Sequence, residues 1–391
     1  MSNLYVDVHV LQTVPPSCLN RDDTGSPKTA VYGGARRARV SSPSWKRAMR
    51  RNFSEYFDRK YLGLRTLRAV QLIADRIMEM DPEKNRDEAE AWAAKAFGLI
   101  GKDDPEKKKK TDAAGTEEPG KEEADVSDTK GNKKPGGKKK AEEKEKDVLF
   151  FISCAQADAM ADLFFKKKGA IPSKTAVMKI MKENISIDIA LFGRMVAKET
   201  SLDCEAAAQV AHAISTHKVA TEYDYFTAVD DYPAEDGHGS AHIGTTEFNS
   251  STLYRYASLN VKELAANLGE SGLLIEEVVI GFVSAFILSM PTGKQNSFAN
   301  RTVPDMAYVT VRSDQPVNLC GAFEKPVKAG DGGYVQNSIE SLAKYAGRVY
   351  ADFADAPCKA YVVGTDFGGA QRKNLKGMLG ALREDVKAAL S

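Results

Sequence analysis

Residues Cys18–Arg50 read CLNRDDTGSPKTAVYGGARRARVSSPSWKRAMR, and the chain is organised around this stretch. Between Thr24 and Ser54 the sequence holds eight basic residues and no acidic one, whereas the whole chain of 391 residues has a net charge of only +1. The positive charge is therefore concentrated in one segment. Such a concentration is typical of a surface that grips a phosphate backbone.

The stretch is predicted to form a glycine-hinged loop, a short strand and a helix. Gly33 and Gly34 allow the loop to approach a ligand closely, and Ser42 can cap a helix with Pro43 at its first position. Four apolar residues at helical spacing predict its buried face: Trp45, Ala48, Met49 and Phe53. Four basic residues share the other side: Lys46, Arg47, Arg50 and Arg51. A solvated basic helix without a ligand is the alternative interpretation.

Composition predicts a soluble globular protein. An apolar fraction of 42% is enough for a sizeable core, and the length allows two or three domains. No secretory signal and no apolar run long enough to span a bilayer is recognised, so we expect a cytoplasmic protein without a membrane partner. The five cysteines are far apart and show no C-x-x-C spacing, which fits reduced thiols: Cys18, Cys154, Cys204, Cys320 and Cys358.

Residues 101–147 are predicted to stand outside the fold as a disordered insertion. This segment holds 14 lysines and 14 acidic residues but almost no apolar side chain. It cannot bury enough surface to offset the entropy of ordering it. Its lysine clusters could bind nucleic acid, but the interspersed acids favour a self-neutralising segment.

The remaining pattern predicts an α+β fold. Alternation marks strands at Leu4–Val10 and Ile185–Leu191, whereas Glu205–His217 is predicted to be a helix. Residues Thr221–His242 are predicted to form a long polar loop, and Ile275–Met290 a buried helix. The order of elements favours a ferredoxin-like or RNA-recognition-type core, with helices on one face of a mainly antiparallel sheet.

The sequence offers few groups for catalysis. His238 and His242 are four residues apart, but the flanking glycines argue against a helix that would hold them as metal ligands. Asp22 and Asp23 could hold magnesium, although aspartates also favour tight turns. His9 could act as a general base on its strand. We therefore expect no metal, no cofactor and no enzyme activity.

Several segments resemble a known family. SCLNRDD at Ser17–Asp23 and YGGARRARVSSPSWKRAMR at Tyr32–Arg50 resemble the backbone subunit of the type I-E CRISPR surveillance complex, Cascade, within the RAMP superfamily. The resemblance continues in the same order through DIALFGRM at Asp188–Met195, YFTAVDD at Tyr225–Asp231 and AFEKPVKAGDGG at Ala322–Gly333. It departs mainly at the charged insertion and at the C-terminus after Gly333. At Pro43 the family can carry a glutamine that contacts RNA.

The resemblance implies a right-hand shape with an RNA-recognition-type palm, a helical fingers insertion and an extended thumb. Residues 1–60 and 261–391 would belong to the palm, and 61–182 to the fingers, with the charged insertion at about 101–147. Residues 183–260 would supply further palm strands and, at about 195–245, the thumb loop.

The resemblance also implies a function. Copies of the subunit would oligomerise along CRISPR RNA as a non-catalytic scaffold and displace bases at regular intervals, leaving the other guide bases to pair with target DNA. The partners would be CRISPR RNA, target DNA, further copies of the chain and other Cascade subunits. An RNA endonuclease using Asp22 or Asp23, or a processing enzyme using His9, is the alternative within the same superfamily.

Carried onto this sequence, the family's RNA contacts fall into two groups. The residues that would hold phosphates are Arg21, Ser41, Lys46 and Arg50. The residues that would surround or wedge beside the displaced base are Arg194, Met195, Phe226 and Thr227. This division makes physical sense, because cations bind phosphate without reading sequence and an apolar wedge can unstack a base.

Overall fold

The computed structural model describes residues 3–101, 149–228, 242–269 and 272–390. Most of the charged insertion, His238 and part of the predicted thumb loop therefore lie outside the described residues. The strands are β1 Tyr5–Ser17, β2 Thr29–Tyr32, β3 Ala35–Val40, β4 Gly63–Thr66, β5 Phe150–Ser153, β6 Ala208–Val210, β7 Ala213–Ser215, β8 Glu222–Ala228, β9 His242–Asn260, β10 Met306–Arg312, β11 Lys359–Val363 and β12 Gln371–Arg372. The helices are α1 Ser42–Asn52, α2 Ala69–Met80, α3 Arg86–Phe97, α4 Cys154–Lys166, α5 Lys174–Lys182, α6 Ile187–Phe192, α7 Val261–Leu268, α8 Ile275–Leu288, α9 Gln295–Phe298, α10 Val335–Asp352 and α11 Leu375–Leu390.

The central strand of the fold is β1, which lies between β9 and β10 and runs antiparallel to both. Val8 of β1 is opposite Ala257 of β9 on one side and Val309 of β10 on the other. The strands β9 and β10 are therefore parallel, and α7 and α8 connect them across the inserted β1. This split βαβ arrangement is the signature of a ferredoxin-like core, and it confirms the predicted α+β fold.

The sheet extends well beyond that core. Its order is β12-β11-β10-β1-β9-β7-β3-β2, with β6 and β8 also paired to β9. The long strand β9 therefore reaches past the core and forms a hairpin with β8 at its N-terminal end. A separate two-stranded sheet of β4 and β5 leads into the helices α2–α5, which share their own apolar core around Ile73, Trp92 and Met160.

Helices cover both faces of the large sheet, so the prediction of helices on one face is wrong. Val6 and Val8 of β1 pack on the side of α1, α7, α8 and α11. Leu11 of the same strand packs on the opposite side with Tyr254 and α10. The polar residues Asp7 and His9, which alternate with the valines of β1, are buried among tyrosines from neighbouring strands.

Four local predictions are also corrected. The segment Ile185–Leu191, predicted as a strand, contains most of helix α6. Residues Ile187–Leu191 are all buried, so the alternation of apolar and polar residues does not correspond to alternating exposure. Residues predicted as a helix at Glu205–His217 form β6 and β7, which pair with β9. The predicted loop Thr221–His242 contains strand β8. Helix α1 begins at Ser42, so its N-cap is Ser41 and Pro43 is the second helical residue.

Within the described residues, no helix is both long and apolar enough to cross a membrane. The C-terminal helix α11, which the sequence pattern missed, packs through Met378, Leu382 and Val386 into the core under the sheet.

Candidate nucleic-acid interface

An open cleft of about 880 Å³ lies between the turn after β1, the outer side of α1 and the segment 289–301. Five cations line it: Arg21, Arg47, Arg51, Lys294 and Arg301. The acidic residues of the lining are Asp22 and Asp23. Cations thus outnumber acids, and the cleft attracts a polyanion.

The first wall is a tight turn closed by Asp22. Its Oδ1 atom accepts hydrogen bonds from the backbone N–H groups of Thr24 and Ser26, both at 3.0 Å, and from the Thr24 hydroxyl at 2.7 Å. These bonds lower the pKa of Asp22. The carboxylate therefore shapes the turn that presents Arg21, an exposed side chain at the mouth of the cleft.

The start of α1 is fastened to the same turn. The backbone N–H of Ser41 donates to Asn20 Oδ1 at 2.9 Å, and Ser41 itself is buried. Ser41 thus positions the cleft. Its side chain makes no capping hydrogen bond to the helix.

Helix α1 divides its basic residues between two sides. Arg47 and Arg51 are exposed and line the cleft. Lys46 and Arg50 lie on the side that faces α6, where the Lys46 ammonium group is 5.4 Å from the centre of the Phe192 ring. Burial lowers the pKa of Lys46. The resemblance to the family assigned phosphate contacts to Lys46 and Arg50. The structure adds Arg47 and Arg51 as candidate contacts.

Arg50 is occupied by internal contacts. Its Nε atom lies 2.9 Å from Asp188 Oδ2, and its guanidinium carbon is 4.4 Å from the centre of the Phe151 ring. Asp188 is buried and also accepts from the backbone N–H of Gly63 at 2.9 Å. Arg50 therefore links α1 to α6 and β4, and the Asp188 carboxylate pairs with its charge within the protein.

The third wall, residues 289–301, was not found from the sequence. Gly293 lies so close to the turn after β1 that a Cβ atom there would be 2.2 Å from the Leu19 carbonyl oxygen. The next residue, Lys294, has a left-handed backbone and donates from Nζ to Thr246 Oγ1 at 3.0 Å. This contact connects the cleft to the β8–β9 hairpin. The available signal was a short basic and polar segment directly after the buried helix.

The buried side chain of Arg255 supports this wall. It donates to Gln12 Oε1 at 2.6 Å and to the Phe286 carbonyl oxygen at the end of α8, and it stacks 3.8 Å from the centre of the Trp45 ring. Burial lowers its pKa to about 9. Gln12 in turn donates to the Thr302 carbonyl oxygen at 2.8 Å. One guanidinium therefore ties α1, α8 and the end of the third wall together.

Arg194 does not lie at an open base-binding surface, which corrects the role given to it from the sequence. It is buried, and its guanidinium donates to the carbonyl oxygens of Met181 at 2.9 Å and Leu202 at 3.0 Å. It also donates to Gln156 Oε1 at 3.3 Å. Burial lowers its pKa. The adjacent Met195, by contrast, is 87% exposed.

The β8–β9 hairpin carries the other two predicted residues. Phe226 and Thr227 are exposed on β8 and pair with Gly244 and Ile243 of β9. The Phe226 ring lies across Gly244, where a Cβ atom would come within 2.5 Å of it. The hairpin also exposes two tyrosines that the sequence interpretation did not select, Tyr223 and Tyr225.

His9 lies far inside the sheet. Its Nδ1 atom is 2.8 Å from the Tyr254 hydroxyl, and its ring packs against Tyr256 and Tyr308. Burial lowers the pKa of His9 to about 3. In this position it has no path to a substrate phosphate. Over residues 3–101, 149–228, 242–269 and 272–390, no three His, Cys, Asp or Glu side chains come together as a metal site.

Comparison with known proteins gives consistent results. The family model described as CT1975-like protein matches residues 6–386. A chain of a solved "CRISPR RNA-guided surveillance complex, pre-nicking" is similar over 97% of this chain and 100% of its own, with 31% identity and a TM-score of 0.75. A chain of a second "CRISPR RNA-guided surveillance complex" is similar over 96% of this chain and 99% of its own, with 27% identity and a TM-score of 0.67. No curated protein matches the sequence.

Proposed function

The chain belongs to the CT1975-like protein family, and from that premise we propose that it is a CRISPR RNA-binding backbone subunit of a surveillance complex in antiviral defence. The solved chains that resemble it come from RNA-guided surveillance complexes and are matched along nearly their whole length. The proposal extends to the finer features of the resemblance, namely a type I-E complex in the cytoplasm with other Cascade subunits.

The observation that carries the proposal is the basic cleft. Its cations come from three separate parts of the chain, the turn after β1, helix α1 and the segment 289–301. Arginine and lysine hold phosphate without reading the base, as a protein that serves any guide sequence requires. We assign the phosphate contacts of the cleft to Arg21, Arg47, Arg51, Lys294 and Arg301. Lys46, on the side of α1 that faces α6, is a further candidate.

Oligomerisation and base displacement form the second part of the proposal. Met195 and Phe226 are exposed apolar side chains, as a wedge between stacked bases requires. Copies of the chain would lie side by side along the RNA, with the β8–β9 hairpin of each acting on the RNA of its neighbour. The bases between the wedges would remain free to pair with target DNA.

The proposed role is non-catalytic. The Asp22 carboxylate is engaged by the turn that it closes, and His9 is buried between tyrosines. Asp22 and Asp23 both line the cleft and are the candidates for the endonuclease alternative. Incubation with RNA complementary to the guide and with magnesium tests this: regular cuts that disappear in Asp22→Ala or Asp23→Ala would contradict the scaffold role.

The cleft is tested by removing two cations that face it. We expect Arg47→Gln/Arg51→Gln to weaken binding of single-stranded RNA and to lower the slope of log K against log salt by about 1.4, because each phosphate contact contributes about 0.7. The matched control is Lys373→Gln/Lys376→Gln, which removes two cations at α11, outside the cleft. Filter binding at several salt concentrations gives both slopes. Equal slopes in the two variants would refute the assignment.

A further inference from the structure

Three uncharged polar residues of the basic cleft have unpaired polar atoms. They are Asn52 at the end of α1, Ser289 at the end of α8, and Asn300 in the third wall. Ser289 is 4% exposed and Asn300 only 1% exposed. Among the described residues, Asn52 Oδ1, Ser289 Oγ and Asn300 Nδ2 are buried without a hydrogen-bond partner.

Unpaired buried polar atoms are costly, since each has lost its water without gaining a partner. Three of them in the lining of one cleft indicate a ligand that supplies the missing hydrogen bonds. That ligand must both donate and accept, because Asn52 Oδ1 can only accept, Asn300 Nδ2 can only donate and Ser289 Oγ can do either.

A nucleotide strand offers three kinds of group to this cleft. The phosphates are matched by the five cations, and the base edges change with every guide, so a fixed set of partners cannot serve them. The ribose remains. Its 2′-hydroxyl is a donor and an acceptor, it is present in every ribonucleotide, and it is the group that distinguishes RNA from DNA.

We propose that Asn52, Ser289 and Asn300 form a ribose-recognition site that binds a 2′-hydroxyl of the guide strand and makes the cleft selective for RNA over DNA. This inference rests on the proposed function, because it places the guide strand in the basic cleft. It assigns separate contributions to the two sets of residues. The cations would provide the affinity for the phosphates, and the three uncharged residues would provide the selectivity for ribose over deoxyribose.

The site lies where the frame of the cleft is rigid. Asn52 ends α1, Ser289 follows directly on α8, and the Asn300 carbonyl oxygen accepts from the Thr302 N–H at 3.1 Å. Thr302 is held by Gln12, which also contacts Arg255. The three polar side chains therefore stand on fixed backbone, as selection of a single hydroxyl requires.

The test compares single-stranded RNA and DNA of one sequence, bound by the full-length protein at one salt concentration. We expect the wild type to prefer RNA by about tenfold or more, and Asn300→Leu to lower that ratio by about threefold to tenfold, as loss of one or two hydrogen bonds predicts. Affinity for DNA and the salt slope should stay unchanged. Ser289→Ala, a smaller change, should lower the ratio by about twofold to threefold.

The control variant is Thr310→Val. It removes a buried hydroxyl that also has no partner among the described residues, but it lies on β10 and does not line the cleft. It should leave the RNA-to-DNA ratio unchanged. Thermal melting of each variant shows whether it is folded, and Ser289→Ala decides the matter if Asn300→Leu is not.

The outcomes separate this inference from the function on which it rests. Equal binding of RNA and DNA by the wild type, or an unchanged ratio in both cleft variants, would overturn ribose recognition and leave the RNA-binding function standing. A changed preference between RNA sequences, with the RNA-to-DNA ratio intact, would overturn it in favour of a base contact. Failure of the wild type to bind either strand would overturn the proposed function itself.

Discussion

At the residue scale, the buried strand β1 contains two titratable side chains, Asp7 and His9. Asp7 Oδ1 accepts from the Tyr256 hydroxyl at 3.0 Å, and Oδ2 accepts from the Val317 N–H at 2.8 Å. Burial outweighs these bonds and raises the pKa of Asp7 to about 6, while burial lowers the pKa of His9 to about 3. Both groups thus favour their neutral forms in the folded protein.

This arrangement predicts how stability depends on pH. In the unfolded chain His9 binds a proton when the pH falls below its usual pKa of about 6.5, whereas in the folded chain it does so only near pH 3. The contribution of His9 to the free energy of unfolding is therefore fully present above pH 6.5. Between pH 6.5 and pH 3 it decreases by about 1.4 kcal/mol for each unit by which the pH falls. Asp7 acts in the opposite direction between about pH 4 and 6, because its folded form takes up a proton first.

His9→Phe isolates the histidine, because Asp7 is present in both proteins. We expect the free energy of unfolding of the wild type, measured relative to that of His9→Phe, to decrease steadily from pH 7 to pH 4. Urea denaturation at a series of pH values measures the difference. A difference that is constant across this range would show that His9 is not buried in its neutral form.

At the element scale, helix α1 is the part of the molecule in which folding and binding are most closely combined. Trp45 and Met49 bury one face, Arg47 and Arg51 face the cleft, and Arg50 joins the helix to the buried Asp188. The side of α1 on which a cation lies therefore decides whether it is available to bind a ligand or stabilises the fold.

A comparison of two single variants tests this division. Arg50→Gln leaves Asp188 without its cation, so we expect it to lower the free energy of unfolding by about 2–4 kcal/mol, with little effect on the salt slope of RNA binding. Arg47→Gln should do the reverse, lowering the slope by about 0.7 at nearly unchanged stability. A lower slope in Arg50→Gln at unchanged stability would instead support the phosphate role that the resemblance gave to Arg50.

The same helix shows how far the sequence could predict the structure. Its capping region and apolar stripe are local patterns, and the structure reproduces them to within one residue. The four basic residues, predicted to share one side, are divided between the cleft and the side of α6. Helix α6 and strands β6 and β7 were mispredicted because tertiary burial, not local propensity, sets their conformation. The third wall of the cleft, about 250 residues from α1 in the chain, could be joined to it only through the fold.

At the scale of the whole molecule, we propose separate roles for the basic cleft, which would bind phosphates, and for the exposed apolar residues, which would displace bases. Met195 follows the buried Arg194, whose bonds to Gln156, Met181 and Leu202 fix the backbone just before it. Arg194 is therefore a positioning residue for Met195. The Met195 side chain is largely exposed and makes little contact with the rest of the chain.

Truncation of Met195, the proposed wedge, should leave the phosphate contacts of the cleft unchanged. We expect Met195→Ala to weaken base displacement along a bound guide, seen as reduced fluorescence of 2-aminopurine placed at the displaced position, without changing the salt slope of binding. The free energy of unfolding should change by less than about 0.5 kcal/mol, because the side chain is 87% exposed. Unchanged fluorescence at every position of the base analogue would remove Met195 from the wedge.

We propose that the guide strand runs through the cleft between Arg47, Arg51 and Lys294. Electron microscopy of the protein assembled on a guide RNA tests this path of the strand. We expect a row of subunits in which phosphates of the RNA lie within hydrogen-bonding distance of these three side chains, with Asn300 facing a ribose. RNA bound to another face of the subunit, with the cleft open to solvent, would show that the cleft does not hold the guide strand.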